Sequence, residues 1–231
     1  VKDINALDWD EITRALDADG FATIGQLLSR AECEALITLY EREALFRSRV
    51  TMARHGFGSG EYKYFDYPLP PLVADLRRGV YPYLAPLANR WAEAMRQEQR
   101  YPLDLAAFTE RCHDAGQTKA TPLLLRYGPG DFNRLHRDLY GPLAFPIQMA
   151  LLLSDPAEFE GGEFMLVENR PRMQARGEVV SLTRGAAVIF AVNERPVQGT
   201  RGTYRVSMRH GVSRLASGRR YTLGVIFHDA Q

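Results

Sequence analysis

After Gly116 the sequence becomes a succession of short runs rich in β-branched and aromatic residues, with no room for a helix between them. The runs fall at 121–127, 145–154, 163–167, 178–182, 186–191, 204–212 and 220–227. Turn signals punctuate them: Gly128-Pro129-Gly130, Gly161-Gly162, Gly185 and Gly218. Strands spaced this closely cannot be wound into a parallel sheet, because each crossover needs a dozen or more residues. Antiparallel pairing in a sandwich or jelly roll is the expected solution.

The first 116 residues read mostly as helices. Asp8-Trp9-Asp10-Glu11 resembles a capping box, with Trp9, Ile12 and Leu16 in helical phase and Gly20 as a stop. Ser29 and Glu32 open a second helix, with Leu36, Ile37 and Tyr40 on one face. A third is expected from Pro82 to Met95, and Leu105, Phe108 and Cys112 suggest a fourth. Residues 54–71, rich in Gly, Tyr and Phe and ending in three prolines, read as an ordered loop. No repeat, low-complexity tract or linker interrupts the chain. A single α+β domain over residues 1–231 is expected, with helices packed on one sheet of the jelly roll.

Lys plus Arg is 29 and Asp plus Glu is 28, a balance that excludes a binder of polyanions acting through bulk charge. The distribution is uneven. From Arg195 to His228 there is no acid but there are seven arginines, among them Arg201, Arg205, Arg209, Arg214, Arg219 and Arg220. A shorter acid-free stretch, 44–60, holds Arg47, Arg49 and Arg54. Solvated loop charge is the plain reading, and a cationic pocket for a carboxylate or phosphate the sharper one. Cys33 and Cys112 form neither a metal-binding spacing nor a disulfide framework, so a reducing, cytoplasmic setting is expected. The longest apolar-rich run, 145–154, is too short for a membrane span, and no signal pattern opens the chain. The chain begins at Val1 without a Met, so part of the native N-terminus is expected to be missing. The oligomeric state is not encoded in any of these features.

Five histidines stand in the chain. In an extended segment residues two apart share a face, so His136 and Asp138 can meet one ion. His210, near the end of a predicted strand, supplies a second imidazole. Two histidines and one carboxylate leave half an octahedron open, which suits an Fe(II) oxygenase; a structural zinc site would close with a fourth protein ligand. His136-Arg137-Asp138-Leu139 also echoes a kinase catalytic loop, but Leu143 stands where that loop needs Asn, and its companion motifs are absent. Ten residues after His210, Arg220 opens the final strand, where a guanidinium can grip a carboxylate bidentately. His113 reads as half of a helix-end charge pair and His228 as structural. His55, beside Arg54 in the aromatic loop, is divided between loop structure and substrate contact.

These pieces, in this order, resemble the 2-oxoglutarate/Fe(II)-dependent dioxygenases, nearest the prolyl-hydroxylase-like branch. The resemblance rests on Tyr127-Gly-Pro-Gly130, His136-Arg-Asp138, Phe159-Glu-Gly-Gly-Glu163-Phe164, Gly185-Ala-Ala-Val-Ile-Phe190, His210-Gly-Val212 and Gly218-Arg-Arg220-Tyr221. It implies a double-stranded β-helix core over 117–231, with 1–116 as helical support and substrate loop. It implies that His136, Asp138 and His210 hold Fe(II) and that Arg220 binds 2-oxoglutarate, with Tyr127 assisting and Arg219 as the alternative to Arg220. O2 is the oxidant and ascorbate a candidate reductant, and the products are succinate, CO2 and an oxidised substrate. The whole chain is also similar to a narrower prokaryotic group associated with oxidative repair of alkylated nucleic acid, through Arg54 to Phe65, Asp138-Leu-Tyr-Gly141, Arg195 to Tyr204 and Phe227-His-Asp-Ala230. The AlkB-type pattern is matched in part, with Ile226 where that pattern has a second Arg.

Three functions follow as expectations. The first is hydroxylation of an unactivated C–H bond of a small molecule or amino-acid-type substrate. The second is demethylation of nucleic acid, with Arg47, Arg49, Arg54, Phe57, Tyr62 and Tyr64 as a basic, aromatic track. The third is a non-catalytic jelly-roll binding module. Arg54, His55, Tyr62 and Arg201 are the expected substrate contacts, with 201–205 as a lid.

Overall fold

The computed structural model describes residues 2–231. Helix α1 spans Trp9–Asp19; the Asp8 side chain accepts from the Glu11 amide, and Gly20 ends the helix in the left-handed region. Helix α2 spans Arg30–Leu39 behind a complete capping box, in which Ser29 and Glu32 satisfy each other's amides. Helix α3 covers Pro71–Ala94, starting eleven residues before the expected Pro82. Proline favours a first turn, so Pro82 resembles a start. The apolar phase nevertheless begins earlier, with buried Val73, Leu76 and Val80, and packing carries the helix through Pro82 and Pro86. Helix α4 spans Leu105–Asp114. No helix of the described residues is long and apolar enough to cross a membrane.

The strands form two principal sheets. The larger has seven strands, in the order Phe21–Ile24, Ala187–Ala191, Ile147–Leu152, Arg220–Val225, Leu123–Tyr127, Glu61–Phe65 and Phe46–Thr51. The smaller runs Arg176–Val180, Phe164–Asn169, Gly202–Val212, Phe132–His136 and Gly58–Ser59, with Glu194–Gly199 also paired to Gly202–Val212. All pairings are antiparallel. This is the jelly-roll core with helices on one sheet that the sequence predicts.

The first 116 residues are mainly helical, as expected, and also supply both edge strands of the large sheet. One expectation needs correction. The presumed loop 54–71 contains the strands Gly58–Ser59 and Glu61–Phe65. Glycines at 56, 58 and 60 mask the alternation that follows them, in which Tyr62 and Tyr64 line one cavity while Lys63 is buried beside Tyr40 and Glu43.

Period-two alternation divides the large sheet between two jobs. Leu124, Leu151, Leu223 and Val225 join the helices in one apolar core. Leu123, Leu125, Tyr127, Ala150, Thr222 and Gly224 line the cavity between the sheets. Arg77 of α3 fixes the helical layer to the C-terminal segment, donating to the carbonyls of Ile226 and Phe227 and pairing with buried Asp229 at 2.7 Å.

Candidate metal and co-substrate site

His136 ends the Phe132–His136 strand, and His210 lies directly opposite it in antiparallel register. Their ring centroids are 4.2 Å apart. Asp138, two residues past the strand end, brings Oδ1 to 3.5 Å from His136 Nε2 and Oδ2 to 3.3 Å from His210 Nε2. One ligand atom from each of the three lies within 4.8 Å of the others.

The polar pattern fits a cation. His136 Nδ1 donates to the Arg134 carbonyl at 2.7 Å, which orients the ring with Nε2 facing Asp138 Oδ1. A positive charge, carried by a proton on the imidazole or by a metal ion, suits the space between them. Burial opposes the charge of Asp138, yet hydrogen bonding from His136 and His210 holds its carboxyl well below the usual carboxylate range. Burial and the proximity of His136 push His210 down, toward the neutral form a metal needs. Burial opposes protonation of His136 too, but there the Asp138 carboxylate wins and its pKa is raised.

Arg220 is 3% exposed and lines the same cavity. Its Nη1 donates to Thr222 Oγ1 at 2.6 Å, and it has no carboxylate in ion-pair range among the described residues. Burial lowers its pKa, with Tyr127 and Glu163 opposing from a distance. A buried guanidinium without a counter-ion is costly, so the cavity is built for an anion. Tyr127 sits opposite Arg220 in register, its ring 5.7 Å from the guanidinium carbon. Its buried hydroxyl lacks a well-formed hydrogen bond, with the Asn133 side chain close by. Gly162 keeps this end of the cavity clear: at φ +68° a Cβ there would approach Arg220 Cδ to 3.0 Å. Arg219 is exposed and outside the cavity lining.

The expected substrate residues separate. Tyr62 lines the cavity. Arg54 and His55 are exposed outside it, although His55 stacks on Phe57, which does line it. Arg201 sits at the tip of the hairpin joining Glu194–Gly199 to Gly202–Val212, outside the lining. The 201–205 region lies outside the cavity lining, with Arg205 held by the Met95 carbonyl and Glu194. Arg47 and Arg49 are also engaged, Arg47 by the Ala120 carbonyl and the Tyr64 ring, Arg49 by Glu61. His113 pairs with Asp229 across the fold. Tyr140 was not anticipated: it donates to Asp138, and only its two-residue spacing from that Asp signalled it.

The cavity measures ≈ 210 Å³ and opens past Phe57, Arg137 and Leu139. Among solved structures, a Pseudomonas putida prolyl-4-hydroxylase is 16% identical, with 96% of this chain and 100% of that one covered at a TM-score of 0.53. A Burkholderia pseudomallei oxidoreductase of the 2OG-Fe(II) oxygenase family is 13% identical, with 98% and 94% covered at 0.55. An uncharacterized protein of Mycobacterium tuberculosis is 45% identical over 167 residues, 72% of each chain. Residues 60–230 match the model of a family described as an oxygenase catalysing oxidative methylation of damaged DNA. The fold is that of these oxygenases, three of its residues could hold a metal ion, and the chain belongs to the oxygenase family whose model it matches.

Proposed function

We propose that the chain works as one catalytic domain that oxidises an alkyl group on a nucleobase of DNA. The observation that carries this reading is the mouth of the cavity. Phe57 is 47% exposed there and stacked on His55 at a centroid distance of 5.3 Å, while Arg137 lines the same cavity with no carboxylate paired to it among the described residues. An exposed aromatic pair and an unpaired guanidinium at one cavity suit a base removed from its stack and the phosphate that travels with it. The family description supports the same substrate class.

In this reading His136, Asp138 and His210 hold Fe(II) through one face, and Arg220 and Tyr127 hold the distal carboxylate of 2-oxoglutarate. When bound, the metal, co-substrate and O2 supply the oxidising power. The protein's own contribution is placement. The register of the two histidine strands fixes two ligands, and Tyr140 orients the third. The apolar walls, among them Leu123, Leu125, Phe164 and Phe190, keep water from the reacting C–H bond. Hydroxylation of an N-methyl carbon gives an alcohol that breaks its C–N bond, releasing formaldehyde and the restored base.

A hydroxylase of small molecules or amino acids is the second reading, favoured by the modest volume of the cavity. Membership of an oxygenase family argues against a non-catalytic module. The test is succinate release with methylated oligonucleotides and amino acids side by side. Turnover on a methylated oligonucleotide with formaldehyde release supports demethylation; turnover only on a small substrate overturns it.

A further inference from the structure

Beside the cavity mouth lies a cluster that the catalytic site does not use. Phe132, at the start of the His136 strand, has two guanidinium groups on its ring: Arg134 Cζ at 5.7 Å and Arg214 Cζ at 5.8 Å from the centroid. Both arginines are exposed, and neither has an ion-pair partner among the described residues. The cluster is joined to the mouth by backbone. The Arg134 amide donates to the Phe57 carbonyl at 2.8 Å. Gly58 lies directly on the strand, where a Cβ would come within 2.2 Å of the Phe132 carbonyl oxygen at a φ of +145°.

Two acids are close, and both are occupied. Asp131 accepts from the Ser59 hydroxyl at 2.6 Å and from the Gly128 amide at 2.8 Å. Glu163 accepts from the Ser213 hydroxyl. Two like charges converging on one ring repel, and cation–π attraction of about 0.5–1 kcal/mol at an exposed site compensates only in part. The arrangement is satisfied by an occupant that brings more than one negative charge at regular spacing.

We infer that Arg134 and Arg214, set on Phe132, form a track for the phosphodiester backbone of single-stranded DNA next to the nucleotide whose base enters the cavity. This rests on the nucleobase reading above. Charge complementarity selects the occupant: the cluster is cationic and unpaired, continuous with the aromatic mouth, and placed to hold phosphates while Phe57 and His55 offer a stacking surface.

The test is fluorescence anisotropy of a labelled single-stranded oligonucleotide over a salt series, using the full chain. Three proteins are compared: the native sequence, Arg134→Gln with Arg214→Gln, and Arg96→Gln with Arg172→Gln as a control of equal charge loss elsewhere. The track variant should bind about tenfold more weakly at the lowest salt, and its log–log salt slope should shrink by about 1.4, as for two lost contacts to a single strand. The control should match the native protein. Equal losses in both variants, or none in the track variant, would overturn the track. The same proteins are assayed for formaldehyde release from a methylated oligonucleotide. Native turnover with unchanged binding in the track variant removes the track and keeps the reaction. Track-dependent binding without turnover on any methylated oligonucleotide keeps the surface and removes the reaction, and absence of both removes both.

Discussion

Tyr140 donates its phenolic hydrogen to Asp138 Oδ1 at 2.6 Å, and its own oxygen accepts from Tyr64 at 2.9 Å. The carboxylate is thereby held by one oxygen from the protein side, which leaves Oδ2, 3.3 Å from His210 Nε2, as the better-placed metal ligand. Partners that orient a ligand in this way are typically worth about 10–100-fold in metal affinity. Tyr140→Phe keeps the ring and removes the donor. Anaerobic titration with Fe(II), or with Co(II) followed by its absorption spectrum, should show affinity lower by about that factor while the melting temperature stays close to native.

His136 and His210 are close enough to share one ion only because their strands pair in register. His136→Ala or His210→Ala should therefore abolish Fe(II)-dependent succinate formation and weaken metal binding in the same titration. Either variant retaining native turnover would remove that residue from the metal site.

The part of this site that is local was legible in the chain. His136 and Asp138 share a face because they are two residues apart, and the alternation leading to His210 announces a strand. The cross-strand pairing of His210 with His136 is a long-range register that no local pattern encodes. The strand carrying His136 was itself missed, since Phe132-Asn133-Arg134-Leu135-His136 is too polar to read as half-buried; the two residues it turns to the cavity, Asn133 and His136, are themselves polar. The third helix was read correctly but its start was misplaced, because burial of Val73, Leu76 and Val80 outweighs the proline signal at Pro82. The convergence of Arg134 and Arg214 on one ring joins residues eighty apart and was equally invisible.

Arg220 and Arg219 are neighbours in sequence with opposite surroundings, one buried in the cavity and one exposed outside it. Removing one partner of a buried, hydrogen-bonded charge pair costs about 2–5 kcal/mol. Arg220→Ala should raise the KM for 2-oxoglutarate by the corresponding factor, measured as initial rates of succinate formation. Arg219→Ala should stay within about twofold of the native value, as exposed substitutions do. The reverse order would transfer the carboxylate to Arg219.

His228 is fully buried, and its Nδ1 accepts the Phe145 amide at 3.1 Å, so the folded protein holds it neutral. Burial, aided by the charge of Arg77, pushes the imidazole down to about 4. In the unfolded chain it titrates near 6.5. Between those values the unfolded state binds more protons, so stability rises with pH through the window and is lost as the pH falls from about 6.5 toward 4. The full span corresponds to about 3 kcal/mol from this residue. His228→Gln keeps a side-chain acceptor but cannot titrate. Urea unfolding of the metal-free protein from pH 7 to pH 4 should therefore give a shallower loss of stability in the variant than in the native chain, and parallel curves would show that His228 is not the group responsible.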